Sequence, residues 1–235
     1  MLRVLFNEPK RIDSGLLLEA GNAVRAYMKH LETEQSYLST KYSIFHRQAI
    51  WSKGFIDALD ELEQSKYCCE RFGERIVKSF LEDMNSQETE TYQQFVYFYK
   101  NAFIRLFSIL DKLGTFMNDL FGMKTEKLKS RFSYFTVLRQ MHEQQIHGSL
   151  ELQLYTLKME YKVPLDRLRN LRNMEIHYIN AEMLDDLLQK EPMLGERIQL
   201  ENVKQNLSDL QQGFDMVCRT LTIAFTYITA YVTKG

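Results

Sequence analysis

Few residues break this chain: three prolines and ten glycines in 235 positions, too few for the short strands and tight turns of a β-rich fold. Cysteine is scarce as well. Cys68 and Cys69 are vicinal and Cys218 stands alone; they cannot build an unstrained disulfide framework and match no zinc-ligand spacing, so a reducing, cytoplasmic setting is expected. No excess of one charge exists either, since 30 Lys and Arg face 31 Asp and Glu for a net charge of −1. A general attraction to nucleic acid or to an anionic membrane surface is thereby excluded, and any polyanion site must be local. Long hydrophobic runs are also missing. The most apolar stretch, Leu221 to Val232, carries hydroxyls at Thr222, Thr226, Tyr227 and Thr229 and is shorter than the ~20 residues of a membrane span. The apolar run within Met1 to Pro9 is too short for a signal peptide,.

What is present is helical spacing. Ser14 is placed to cap a stripe of Leu17, Ala20, Val24, Tyr27, Leu31, Leu38, Tyr42, Phe45, Ala49, Ile56 and Leu59, read as one long helix or two in line,. Helix is expected to continue through Ile76, Val77, Phe80 and Leu81 to a turn at Asn85–Thr89,. A core helix follows from Phe95 to Leu120, with Gly122 as its C-terminal cap,. Lys124 to Arg139 reads as a basic connection and helix, and Leu150 to Tyr161 as a short helix. A turn at Val163-Pro164 then opens a further helix, a shorter one is expected over 181–189, a loop over 191–195, and a near-heptad helix from Leu207 to Val232,. The expectation is an all-α protein, an up-and-down helical bundle of long helices. Residues 1–85 are read as an N-terminal helical extension packed on a bundle of residues 86–235.

One segment suggests chemistry: Leu171-Arg172-Asn173-Met174-Glu175-Ile176-His177-Tyr178. Arg172 brings a permanent planar cation suited to phosphate, and His177 a proton carrier for neutral pH. Asn173 lies one helical turn before His177. Arg25 and His30 repeat the Arg-to-His spacing, but without the amide and inside a regular amphipathic pattern, and read as a solvated helix face. The bland reading of Arg172 and His177 is stabilisation of a helix end. A second feature is the net +4 of Lys124, Lys127, Lys129, Arg131 and Arg139 against Glu126, interleaved with Phe132, Tyr134 and Phe135. Charge mixed with aromatic rings is what single-stranded nucleic acid binders use, although a solvated helix with a buried aromatic side is the commoner meaning. His142-Glu143-Gln144-Gln145-Ile146-His147 has one residue too many for a zinc protease motif and reads as solvated helix,. No Glu-x-x-His pair, Gly-rich phosphate loop or nucleophile elbow occurs, so no metal and no cofactor is expected.

The layout of long helices, with Phe107 to Leu113 leading to Phe121-Gly122 and then Leu171-Arg172-Asn173 and His177-Tyr178, resembles the HEPN superfamily, and more closely a bacterial branch of it marked by Arg-Asn-x-x-x-His. The resemblance covers residues 90 to 234. That family is an up-and-down helical bundle that commonly dimerises, marked by an Arg followed four to six residues later by His, often with a polar residue directly after the Arg. The resemblance implies a metal-independent endoribonuclease in which the 2′-hydroxyl attacks its own phosphodiester. Arg172 and His177 would be catalytic and Asn173 would orient the imidazole or hold phosphate. Lys124, Lys127, Lys129, Arg131 and Arg169 are the candidate nucleic-acid contacts. The implied partners are RNA, a second copy in a homodimer, and a protein partner; no membrane partner is expected. The alternative is a non-catalytic HEPN-like helical module that binds nucleic acid or a protein. Some HEPN toxins carry an adenylylated Tyr two residues after the His. Here Tyr178 is adjacent to His177 instead, which argues against control by that route.

Overall fold

A computed structural model describes residues 2–35, 42–130, 132–177 and 197–234. Its helices are α1 (Gly15–Gln35), α2 (Tyr42–Gly73), α3 (Ser86–Leu120), α4 (Tyr134–Glu143), α5 (Gly148–Glu160), α6 (Lys162–His177) and α7 (Val203–Lys234). The all-α class holds: no strand forms among the described residues, and the one β feature is an isolated antiparallel bridge between Phe80 and Gln199. The chain groups into two compact units. The first comprises Met1–Arg11, Glu61–Arg105 and Lys162–Phe214, and the second Ile12–Asp60, Leu106–Tyr161 and Asp215–Gly235. Each unit draws on residues from both sides of position 85.

In the second unit the expected stripe of α1 is buried at Ala20, Val24, Tyr27 and Leu31. Tyr27 meets the rings of Phe116 and Phe225 at 6.1 and 5.7 Å, and Phe55 meets Phe225 at 5.4 Å, so four helices, α1, α2, α3 and α7, converge on one aromatic cluster. Phe55 was not part of the expected stripe. Its neighbour Ile56, which was, is only half-buried. The Arg25 decoy behaves as a surface residue, exposed and hydrogen-bonded to Asn22.

In the first unit the 3-10 turn Leu2–Phe6 is held to α2 by Arg3, which grips both oxygens of Glu63 at 3.1 and 2.5 Å, and by Phe6 against Tyr67 and Phe72. Along α3, Tyr92, Phe95, Tyr99 and Phe103 form a buried ladder of rings. Burial of these rings supplies the apolar transfer energy that makes so long a helix stable.

Two expectations need correction. Helix does not run through Ile76 to Leu81. After Gly73 the chain becomes extended, because Leu81 N–H donates to the Ile198 carbonyl at 3.0 Å and Leu200 N–H to the Ser79 carbonyl at 2.9 Å. The run at Asn85 is a cap and not a turn: Asn85 Oδ1 accepts the Glu88 N–H, and the Glu88 carboxylate accepts the Asn85 N–H, both at 2.9 Å,. The stretch after Lys124 is the connection and helix that its sequence led us to expect. Its residues are stitched down by Asn118, which accepts the Thr125 N–H at 2.9 Å and donates to Glu126 at 3.0 Å, and α4 begins only at Tyr134. Gly122 is the C-terminal cap that was expected, with φ +62°,. The expected helix over 181–189 and the loop over 191–195 lie outside the described residues.

Candidate functional site

The helix that bears the Arg-Asn-x-x-x-His segment is α6. It begins at Lys162, two residues before Pro164, so the ring occupies the first turn, where its missing N–H removes no helical bond,. Opposite stands the start of α7, capped by Asn202, whose Oδ1 accepts the Gln205 N–H at 3.0 Å,. Between the two elements, within the first unit, lies a cleft of about 500 Å³. From α6 it is lined by Arg167, Asn170, Leu171, Asn173 and Met174. The facing wall is Glu201, Asn202, Gln205, Asn206 and Asp209. Five of these are amides, which can donate and accept at once.

Two carboxyls in that wall differ sharply. Asp209 has a side chain only 2% exposed, yet it accepts Arg167 Nε and Nη2 at 2.6 Å each and Gln205 Nε2 at 2.8 Å. Glu201 accepts the Tyr92 hydroxyl at one oxygen, while its Oε1 is buried with no hydrogen-bond partner among the described residues. Burial pushes the Glu201 carboxyl above its ordinary range, only partly offset by the Tyr92 hydrogen bond,.

The sequence-derived residues divide as follows. Asn173 lines the cleft, and its Oδ1 accepts Arg172 Nη1 at 3.0 Å. Arg172 is half-buried and is not among the cleft-lining residues. Helical register gives the reason: at about 100° per residue, position 172 falls roughly 170° from the centre of the lining stripe, whereas position 177 falls about 50° from it. The side chain of His177 and all of Arg131 lie outside the described residues. Arg169 pairs with Asp166 at 3.3 Å and does not line the cleft. Lys124, Lys127 and Lys129 are exposed in the second unit, in the connection stitched by Asn118. Tyr134, by contrast, is wholly buried, and Phe132 and Phe135 are half-buried, so the aromatic side of that stretch serves mainly as packing.

Arg167, Glu201 and Asp209 carried no weight in the sequence. The Arg167–Asp209 pair joins residues 42 positions apart, and nothing local announces it. The His142–His147 run is also not a solvated helix throughout. His142 is exposed beside Glu151, but His147 leaves the helix with φ +51°, lies over Phe121 at 3.8 Å and is hydrogen-bonded to Tyr227 at 2.9 Å. Among the described residues, no three His, Cys, Asp or Glu stand together as a metal site would require, and no helix is long and apolar enough to cross a membrane.

A family model described as HEPN_Cthe2314-like HEPN matches residues 51–229. The chain therefore belongs to the HEPN superfamily, as its residues led us to expect. The match begins at Trp51, well before residue 90, so α2 and α3 lie in the matched region from residue 51 on. No curated protein and no solved structure matches the chain.

Proposed function

We propose that the protein is a metal-independent endoribonuclease acting at the α6 cleft. The observation that carries this reading is the placement of Asn173 at the cleft with Arg172 bonded to it, on the helix whose position 177 shares the cleft side by register. In the proposed reaction His177 moves a proton between the 2′-hydroxyl, the leaving oxygen and solvent as the 2′-oxygen attacks its own phosphorus. Arg172 positions Asn173: with Oδ1 engaged, the amide keeps its two N–H donors for a phosphoryl oxygen, where negative charge gathers in the transition state. RNA is the proposed substrate, and a homodimer the proposed assembly, since a two-fold axis would double the local positive charge that a chain of net charge −1 lacks,.

Labelled RNA incubated with the purified chain in excess chelator tests this. Cleavage is expected to persist, and His177→Ala is expected to lower kcat by roughly 10²–10⁴. Cleavage that disappears with chelator, or that survives His177→Ala unchanged, rejects the proposal. The placement of Arg172 on the far side of α6 favours a second reading, a non-catalytic module that binds RNA or a protein through the same cleft. Retention of RNA by the chain without any cleavage product is its signature.

A further inference from the structure

The cation among the cleft-lining residues, Arg167, is not in the motif. Arg167 presents one edge of its guanidinium, Nε and Nη2, to the two oxygens of Asp209. That carboxylate is sealed from solvent at 2% exposure, while the Arg167 side chain is 45% exposed and lines the cleft. The pair is therefore an oriented dipole, negative inward and positive toward the opening. Gln205 Nε2 adds a third donor to Asp209 at 2.8 Å, which fixes the acceptor and with it the orientation of the guanidinium. Among the described residues no acceptor other than Asp209 meets Arg167, so Nη1 retains its two donors. A guanidinium held rigid on one edge with the other edge open loses little side-chain entropy on binding, and its planar fork matches a phosphate oxygen pair.

The distance along α6 decides which phosphate. From 167 to 177 at about 1.5 Å per residue is about 15 Å, and with its guanidinium held on Asp209 the Arg167 side chain is not extended toward position 177 to share one phosphorus. We infer that Arg167, locked by Asp209, holds a phosphodiester of the RNA strand flanking the one that is cleaved. This inference rests on the ribonuclease reading of the same cleft and adds to it a second, non-reacting phosphate subsite and thus a need for substrates longer than a dinucleotide. The partly buried Glu201 is the only other acidic side chain among the cleft residues besides Asp209.

Replacing Arg167 alone would strand a buried carboxylate, so the test uses Arg167→Met together with Asp209→Asn, and Arg167→Lys beside it. Both are placed in the full chain, with and without His177→Ala, and folding is verified by thermal melting. With His177→Ala blocking turnover, binding of a labelled single-stranded RNA is titrated against salt. The double variant is expected to bind roughly tenfold or more weakly and to lower the slope of log affinity against log salt by about 0.7, the share of one phosphate contact. Arg167→Lys, which keeps the charge and loses the fork, is expected to retain the slope and lose part of the affinity.

With His177 intact, KM for a long RNA should rise by more than kcat falls, while a dinucleoside monophosphate, having only the scissile phosphate, should not distinguish the variants. An unchanged salt slope, or an equal effect on the dinucleotide, overturns the inference. If cleavage still depends on His177 in that case, the ribonuclease reading stands without it. A parent chain that binds no RNA overturns the inference outright, and a parent chain that binds RNA with a slope sensitive to Arg167 but cleaves nothing overturns the ribonuclease reading and with it the flanking position, leaving Arg167 as an RNA phosphate contact only.

Discussion

At Glu201 two requirements of a folded interior collide. The residue follows the extended segment that pairs with Ser79 to Leu81, so its side chain is delivered into the first unit beside Tyr92. One oxygen is satisfied there and the other is not. A buried acceptor without a donor costs about 1–3 kcal/mol, and more when it carries charge. The sign of the resulting pH dependence follows from the direction of the shift. Burial raises the folded carboxyl above its unfolded value, so the folded state binds the proton more tightly, and stability falls as pH rises through the folded value. Glu201→Gln removes the ionisation. At neutral pH that variant is expected to be about 1 kcal/mol more stable than the parent in urea unfolding, with the advantage shrinking as pH is lowered until Glu201 is protonated. Equal stability of the two proteins across that whole range contradicts the assignment of Glu201 as a strained carboxylate. The same residue shows a limit of sequence reading. Glu201 is one acid among 31 Asp and Glu, and only the partner Tyr92, 109 positions away, distinguishes it.

Among elements, those with local causes were legible and those with distant causes were not. The stripe from Phe95 to Met117 is buried as its spacing demands,, and the same holds for Leu210, Phe214, Val217, Leu221 and Phe225 on α7. The end of α2 was misread because Ile76, Val77, Phe80 and Leu81 are apolar at helical spacing, whereas the competing partner, the segment at 198–200, lies far along the chain. Glycines supply another contrast invisible in sequence. A Cβ on Gly114 of α3 would stand 2.7 Å from the backbone Cα of Tyr134, at the start of α4, where the Tyr134 N–H donates to Asp111 at 3.0 Å. A Cβ on Gly54 of α2 would meet nothing within 4 Å. Helix propensity favours Ala over Gly by about 1 kcal/mol at both sites, but overpacking costs about 1–3 kcal/mol where backbone must yield. Gly54→Ala is expected to raise the urea midpoint and Gly114→Ala to lower it. If both rise, the close approach of α3 to α4 is absent in solution.

For the whole molecule the decisive quantity is charge distribution. A net charge of −1 gives no long-range attraction for RNA, so the proposed RNA binding would have to draw on local clusters, and the exposed triad Lys124, Lys127 and Lys129 in the second unit is the candidate outside the α6 cleft. The motif at Arg172 was readable because its residues are contiguous. The sequence also marked the basic stretch, but it did not show that the aromatic side chains there turn to packing, with Tyr134 buried outright. Stacking on bases is thus largely unavailable, and what the triad can offer is backbone electrostatics. Such a contact has a distinct signature: it weakens all RNA sequences alike and depends on salt. Replacing the three lysines by alanine is expected to reduce the log–log salt slope by up to about 2, at roughly 0.7 per lost phosphate contact, with no change in preference among RNA sequences. Folding should be unaffected, because all three side chains are exposed. A slope identical to that of the parent would assign the triad to solvated surface and leave the α6 cleft as the site of RNA attraction.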